Sequence, residues 1–275
     1  MELYNDVSYR LAEVTTKSYS TSFSLSSSLF DTSIRRHIYA IYGLVRIADE
    51  IVDTYMGADS EALLNELETH VLTQLETTQA FSANPIVHAF VDTAQKYAID
   101  IELIQPFFES MRTDLTEKTF TKETYDRYIY GSAEVIGLMC LRVFTGSNTS
   151  LYEQLKPGAL ALGRAYQKVN FLRDMRADYV ERGRVYFPGV EFESFTVIQK
   201  QAIEADIEKD FQLAATALSQ LPKNARKAVV TSYDYYWRLF VILKKASVSD
   251  ITSRRLRVPT LQKLGVFAKA KVSHL

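Results

Sequence analysis

Asp49 and Asp53 lie four residues apart with Glu50 beside the first, so on a helix the two aspartates share one face. Stepping back from Asp49 by three and four reaches Arg46 and Tyr42 on that same face. A second segment repeats the pattern: Gln167, Asn170, Asp174 and Asp178 follow at spacings of three, four and four, with Arg173 next to Asp174. Around both segments the other positions are largely apolar, Ile38, Ile41, Leu44, Ile51 and Val52 in the first, Leu160, Leu162, Val169, Phe171 and Leu172 in the second. Such a stripe is either a salt-bridged surface seam or the lining of a polar site. Two of them facing each other across a cleft could hold a hard divalent cation through oxygen ligands, and Mg2+ commonly completes its octahedron with water and phosphate oxygens; Mn2+ accepts similar donors. The adjoining arginines would stabilise negative charge developing on a departing diphosphate in a water-poor site.

Stripes of this kind need long helices, and the rest of the chain reads as helical. Hydrophobic residues recur at three and four throughout, and only 10 Gly and 6 Pro punctuate 275 residues. The prolines fall between stretches of helical spacing, and the periodicity predicts helices at about 34–55, 59–78, 86–97, 101–115, 122–144, 151–181, 195–219 and 223–247, with a loop from Gly183 to Phe192. Asp31, Thr32 and Ser33 offer N-caps for the first of these, and the Ser-rich stretch 18–28 reads as a polar lead-in. The expectation is an all-α protein with one domain spanning residues 1–275.

Composition bounds the setting. One cysteine, Cys140, cannot form an intrachain disulfide, which fits a reducing, cytoplasmic compartment. No apolar run reaches the length of a membrane span, because Arg142 and Arg238 interrupt the two best candidates, and Met1 to Arg10 does not resemble a secretory signal. Net charge is −1, yet residues 223–275 hold 12 Lys or Arg against Asp234 and Asp250. That basic portion is either a solvated face or a contact for an anionic membrane surface; without a recognised motif, nucleic acid is not expected.

The order and spacing of several segments resemble the squalene/phytoene synthase family. They are Ser20 to Phe23, Ala40 to Asp53, Tyr128 to Met139, Asn170 to Pro188 and Arg255 to Leu264, together spanning nearly the whole chain. The resemblance implies a class I isoprenoid synthase fold with a central cavity. It implies Mg2+ (or Mn2+) held by Asp49, Glu50, Asp53, Asn170, Asp174 and Asp178, with Tyr186 also catalytic. Arg46, Arg173 and Arg184 would bind diphosphate, Ser20 and Ser22 would sit in a flexible flap, and Tyr42, Gln167 and Asn170 would line the site. Tyr128, Val135 and Met139 share one face of their helix and would line the prenyl tunnel, although an aromatic and Met stripe at this spacing is more often core; Asp114 matches a recurrent acidic position without an assigned role.

The implied reaction joins two geranylgeranyl diphosphates head to head through a cyclopropylcarbinyl diphosphate to give phytoene, the opening step of carotenoid synthesis, with downstream carotenoid enzymes as potential partners. No NADPH is expected. A C30 dehydrosqualene or squalene type using farnesyl diphosphate is the nearest alternative, since pocket depth decides chain length. A cyclising terpene synthase would lack the Arg184-x-Tyr186-x-Pro188 tail, and a non-catalytic assembly factor would have degraded acidic motifs, whereas both are intact here. The residues name no general base.

Overall fold

The computed structural model describes residues 1–19, 21–55, 57–78, 81–260, 262–263 and 265–267, and of residues 21–23 the backbone alone. Among these the chain is helical throughout, apart from loops and one isolated parallel bridge between Thr119 and Val185. The helices are α1 (Glu2–Tyr19), α2 (Thr21–Ser27), α3 (Thr32–Asp49), α4 (Ser60–Leu75), α5 (Pro85–Tyr97), α6 (Ile101–Thr116), α7 (Lys122–Ile129), α8 (Val135–Thr145), α9 (Thr149–Arg182), α10 (Val197–Leu218), α11 (Lys223–Lys245) and α12 (Val248–Ser253). Local chemistry sets their ends. Asp31 accepts the Ser33 N–H at 2.9 Å to start α3, and Asn148 accepts that of Leu151 at 3.0 Å to start α9. Thr196 and Gln199 form a reciprocal capping box on α10.

Two apolar clusters meet on α9. One gathers Ile38, Leu44, Phe90, Phe107, Phe108 and Leu138 from α3, α5, α6 and α8; the other gathers Val169, Leu172, Phe211, Leu239 and Phe240 from α9, α10 and α11. Burying each such side chain contributes about 1.5–3 kcal/mol, set against the entropy of ordering the chain.

Four features differ from the periodicity. The segment 2–19 is a helix whose buried face is Ser8, Tyr9, Ala12 and Thr16, too small and polar to register as a hydrophobic stripe. The Ser-rich stretch, outside the expected helices, is helical over Thr21–Ser27. Pro106 and Pro157 lie inside α6 and α9 instead of between helices. Finally, the helix expected over 122–144 contains a wide π turn, Tyr130–Glu134, between α7 and α8, and α3 likewise continues into a π turn, Glu50–Tyr55. Such a turn inserts one residue and rotates everything after it relative to an α-helix. Gly131 allows it to pack: a Cβ there would stand 2.1 Å from the Pro106 carbonyl oxygen, and one on Gly163 of α9 would stand 2.9 Å from that of Ala133.

Candidate active site

Helices α3 and α9 each run from apolar to acidic. On α9, Leu155, Ala159, Leu162, Tyr166 and Asn170 line an apolar cavity, and the next two turns carry Asp174 and Asp178. On α3, Ile38 faces the same cavity, and the following turns carry Tyr42, Arg46 and Asp49, with Asp53 in the π turn. Phe30, Phe144 and Leu221 line it as well; Phe30 and Phe144 stack with centroids 5.3 Å apart. Tyr166 and Tyr236 stack at 3.9 Å on its wall, and the Tyr236 hydroxyl lies 3.5 Å from Asn170 Oδ1, where cavity gives way to acids.

The cavity wall on α8 is Ile136, Gly137 and Cys140 rather than Val135 and Met139. Both of those are buried in the core instead, because the π turn moves the exposed register on by one residue. Tyr128, before that turn, is likewise absent from the cavity lining; its hydroxyl donates to Asp114.

The two acidic stripes meet. The Arg182 guanidinium stands 3.5 Å from Asp53 Oδ2 and 3.2 Å from Asp178 Oδ1, bridging α9 to the π turn after α3. Every carboxylate here has an arginine beside it. Arg46 donates to Asp49 and Glu50 while its guanidinium lies over the Tyr19 ring at 4.2 Å. Arg173 grips Asp174 at 2.9 and 2.5 Å, and Arg255, from the segment after α12, grips the same carboxylate at 2.7 and 3.2 Å.

Behind Asp53 lies a buried polar knot. A left-handed Gly183 (φ 65°) ends α9, with Gly183 N–H donating to Tyr179 O and Arg184 N–H to Asp178 O at 2.9 and 3.0 Å, so the chain reverses and turns Arg184 inward. Arg184 Nη1 donates to Asp114 Oδ1 at 2.9 Å and Tyr186 Oη at 2.7 Å, and Nη2 donates to the Asp114 carbonyl at 2.5 Å. Tyr128 donates to the Asp114 carboxylate at 2.9 and 2.8 Å, and Tyr186 stacks on Phe171 at 4.0 Å. Burial pushes the Asp114 carboxyl up to about 7 against the pull of Arg184, and raises both tyrosines well above their ordinary range. Burial works against the Arg184 charge, but Asp114, Tyr186 and Tyr128 together more than offset it.

Even with arginines beside them, the acids are crowded. Burial first, then the neighbouring Asp53, pushes Asp49 up to about 6; burial and then Asp174 do the same to Asp178. Asp53 Oδ1 is buried and accepts no hydrogen bond, with the Arg184 guanidinium 3.9 Å off. Crowded hard oxygens, one of them orphaned, fit a divalent cation in donor type. Among the described residues no three acid, histidine or cysteine side chains converge on one point, and arginines occupy the carboxylates, so a cation would have to displace guanidinium groups.

Of the remaining expected residues, Tyr42 and Gln167 are half-buried on α3 and α9. Ser20 lies outside the described residues, as does the side chain of Ser22. Sequence reading missed Arg182, although it sits one turn beyond Asp178, and missed Tyr166, Ser232 and Tyr236, whose place on the cavity wall has no local signal.

Comparison with known proteins is consistent along the chain. Its sequence is 28% identical to a phytoene synthase of Arthrospira platensis, covering 94% of this chain and 90% of that protein. It is 29% identical to a 15-cis-phytoene synthase of Synechocystis sp. (93% and 82%) and 28% identical to a 4,4'-diapophytoene synthase of Staphylococcus haemolyticus (72% and 68%). The fold is similar to a dehydrosqualene synthase crystal structure, with a TM-score of 0.81 at 21% identity over 97% of this chain and 96% of that one. A squalene synthase from Alicyclobacillus acidocaldarius gives 0.76 at 18% identity over 88% and 95%. The squalene/phytoene synthase profile matches residues 16–262, and the chain belongs to that family.

Proposed function

We propose that this protein joins two isoprenoid diphosphates head to head in a divalent-metal-dependent reaction, with two geranylgeranyl diphosphates giving phytoene through a cyclopropylcarbinyl diphosphate. The observation that carries the reading is the direct passage, along α3 and α9, from an apolar cavity to two facing acidic stripes. Prenyl chains suit the first and diphosphates the second.

Asp49, Glu50, Asp53, Asp174 and Asp178 would hold the cation, with Asn170 at the edge of the set; when bound, it supplies positive charge to the departing diphosphate. The chain's own residues do the rest. Arg46, Arg173, Arg182 and Arg255 pair with those acids, and freed guanidinium groups would grip phosphate oxygens bidentately, whereas Arg184 is buried and tied to Asp114. The apolar wall excludes water from an allylic cation, and the stacked Tyr166 and Tyr236 offer ring faces to it. Tyr186 sits in the knot behind Asp53 and would act through Arg184.

Resemblance over most of their length to the two phytoene synthases supports the C40 product. The C30 reading rests on the likeness to the 4,4'-diapophytoene synthase, and farnesyl diphosphate would be its substrate. Incubation with farnesyl and geranylgeranyl diphosphates separately, with Mg2+, followed by mass spectrometry of the products, tests both; no hydrocarbon from either would overturn the reading.

A further inference from the structure

Asp114 stands outside both acidic stripes, on the last turn of α6, yet it is heavily bonded through both its carboxylate and its carbonyl. Its carboxylate takes two contacts from Tyr128, one from Arg184 and a 3.3 Å contact from Tyr186, while its carbonyl accepts the second arm of Arg184. That carbonyl is among the last four of its helix, which lack intrahelical partners, so the guanidinium also caps α6 at its negative end. Arg184 is thereby held at two points by one residue.

The same guanidinium nitrogen faces a second acid. Arg184 Nη1 is 2.9 Å from Asp114 Oδ1 and 3.9 Å from Asp53 Oδ1, the oxygen that is buried and accepts no hydrogen bond. A buried guanidinium between two carboxylates goes to whichever holds it better. Without the Asp114 charge, Arg184 would close on Asp53 and fill the orphaned lone pairs.

We propose that Asp114 is a positioning residue that holds Arg184 back from Asp53, keeping the Asp53 Oδ1 oxygen open to a divalent cation. This rests on the metal-dependent reading above. It makes an unusual demand: removing an acid that is not a ligand weakens metal binding, and removing the arginine as well restores it.

The experiment is titration of the full chain with Mn2+ at saturating inorganic pyrophosphate, followed by electron paramagnetic resonance. Asp114→Asn should weaken Mn2+ binding by roughly tenfold, the scale of one lost charge-assisted contact. The double variant Asp114→Asn/Arg184→Gln, which removes both partners together, should return to within about threefold of wild type. Wild-type binding with an unchanged Asp114→Asn affinity would overturn the proposal alone, as would a double variant as weak as the single one, since the loss would then not run through Arg184. No Mn2+ binding by the wild-type chain would instead overturn the metal reading, and the proposal with it. Should Asp114→Asn fail to fold, Tyr128→Phe removes one donor from the same carboxylate, and a loss of about twofold is expected; no change would count against the proposal.

Discussion

Asp53 and Asp178, on different helices, share one guanidinium: Arg182 reaches both, at 3.5 and 3.2 Å. The two stripes are thus a single electrostatic unit, with an arginine standing where a metal cation would neutralise the pair. Asp49→Asn and Asp174→Asn should each lower turnover by about 10²-fold or more, and the double variant should lose little further, because groups acting as a unit cannot each be removed at full cost. Steady-state kinetics across Mg2+ concentrations checks this. Two single variants with normal turnover and unchanged Mg2+ dependence would mean the diphosphate site lies elsewhere.

The crowding of acids also sets a pH dependence. Asp49 and Asp178 are held up at about 6 against an ordinary 3.8, so between those values the folded chain binds more protons than the unfolded one. Stability from these groups is complete below about pH 4 and is lost as pH rises through about 6. Melting temperature of the metal-free protein should therefore fall across that window, and Asp49→Asn should flatten the fall and raise the midpoint at pH 7 by about 2–4 °C per kcal/mol relieved. Calorimetry from pH 4 to 8 decides it. A slope unchanged by the substitution would show that Asp49 is not among the crowded groups.

Cavity depth should govern chain length. Phe30 and Phe144 stack against each other in the lining, and Phe144→Ala would open space beyond them. The variant should use a longer prenyl diphosphate relatively better, measured as the ratio of kcat/KM values, at a stability cost of up to about 3–5 kcal/mol for a truncated core phenylalanine. An unaltered ratio would locate the end of the tunnel away from this pair.

The basic portion of the chain carries Lys223, Arg238, Lys244, Lys245, Arg254 and Arg257 exposed, and among the described residues no helix is long and apolar enough to cross a membrane. We expect peripheral binding to anionic vesicles, with about 1 kcal/mol from each cation near the surface and loss of binding at high salt. Sedimentation with anionic and with neutral liposomes compares the two; equal binding would leave these charges as a solvated face.

The reductant offers a further check. Product should form to the same extent with and without NADPH and should keep its central double bond. A product saturated at its centre upon addition of NADPH would favour a squalene-type reaction.

How far the sequence could be read depended on distance along the chain. The acidic stripes were legible because spacings of three and four are themselves geometry, and Arg182 links Asp53 of the first stripe to Asp178 of the second. Asp114 and Arg184 were not legible as a pair, since 70 residues separate them and their contact exists through tertiary packing alone. α1 was hidden by the small, polar residues of its buried face. The cavity wall on α8 was not legible, because apolar residues surround that helix and periodicity cannot reveal a turn that has widened.

That widened turn at Tyr130–Glu134 acts as a frameshift in three dimensions. Deleting its one extra residue would leave both helices in their present registers, whereas straightening it to ordinary α geometry at constant length would rotate all of α8 by about 100° relative to α7. Val135 and Met139 would then swing to the lumen and Ile136 and Cys140 away from it, exchanging the composition of the wall without any substitution. The width of this turn therefore decides which side of α8 faces the cavity, and loss of its extra residue is the change expected to preserve that wall.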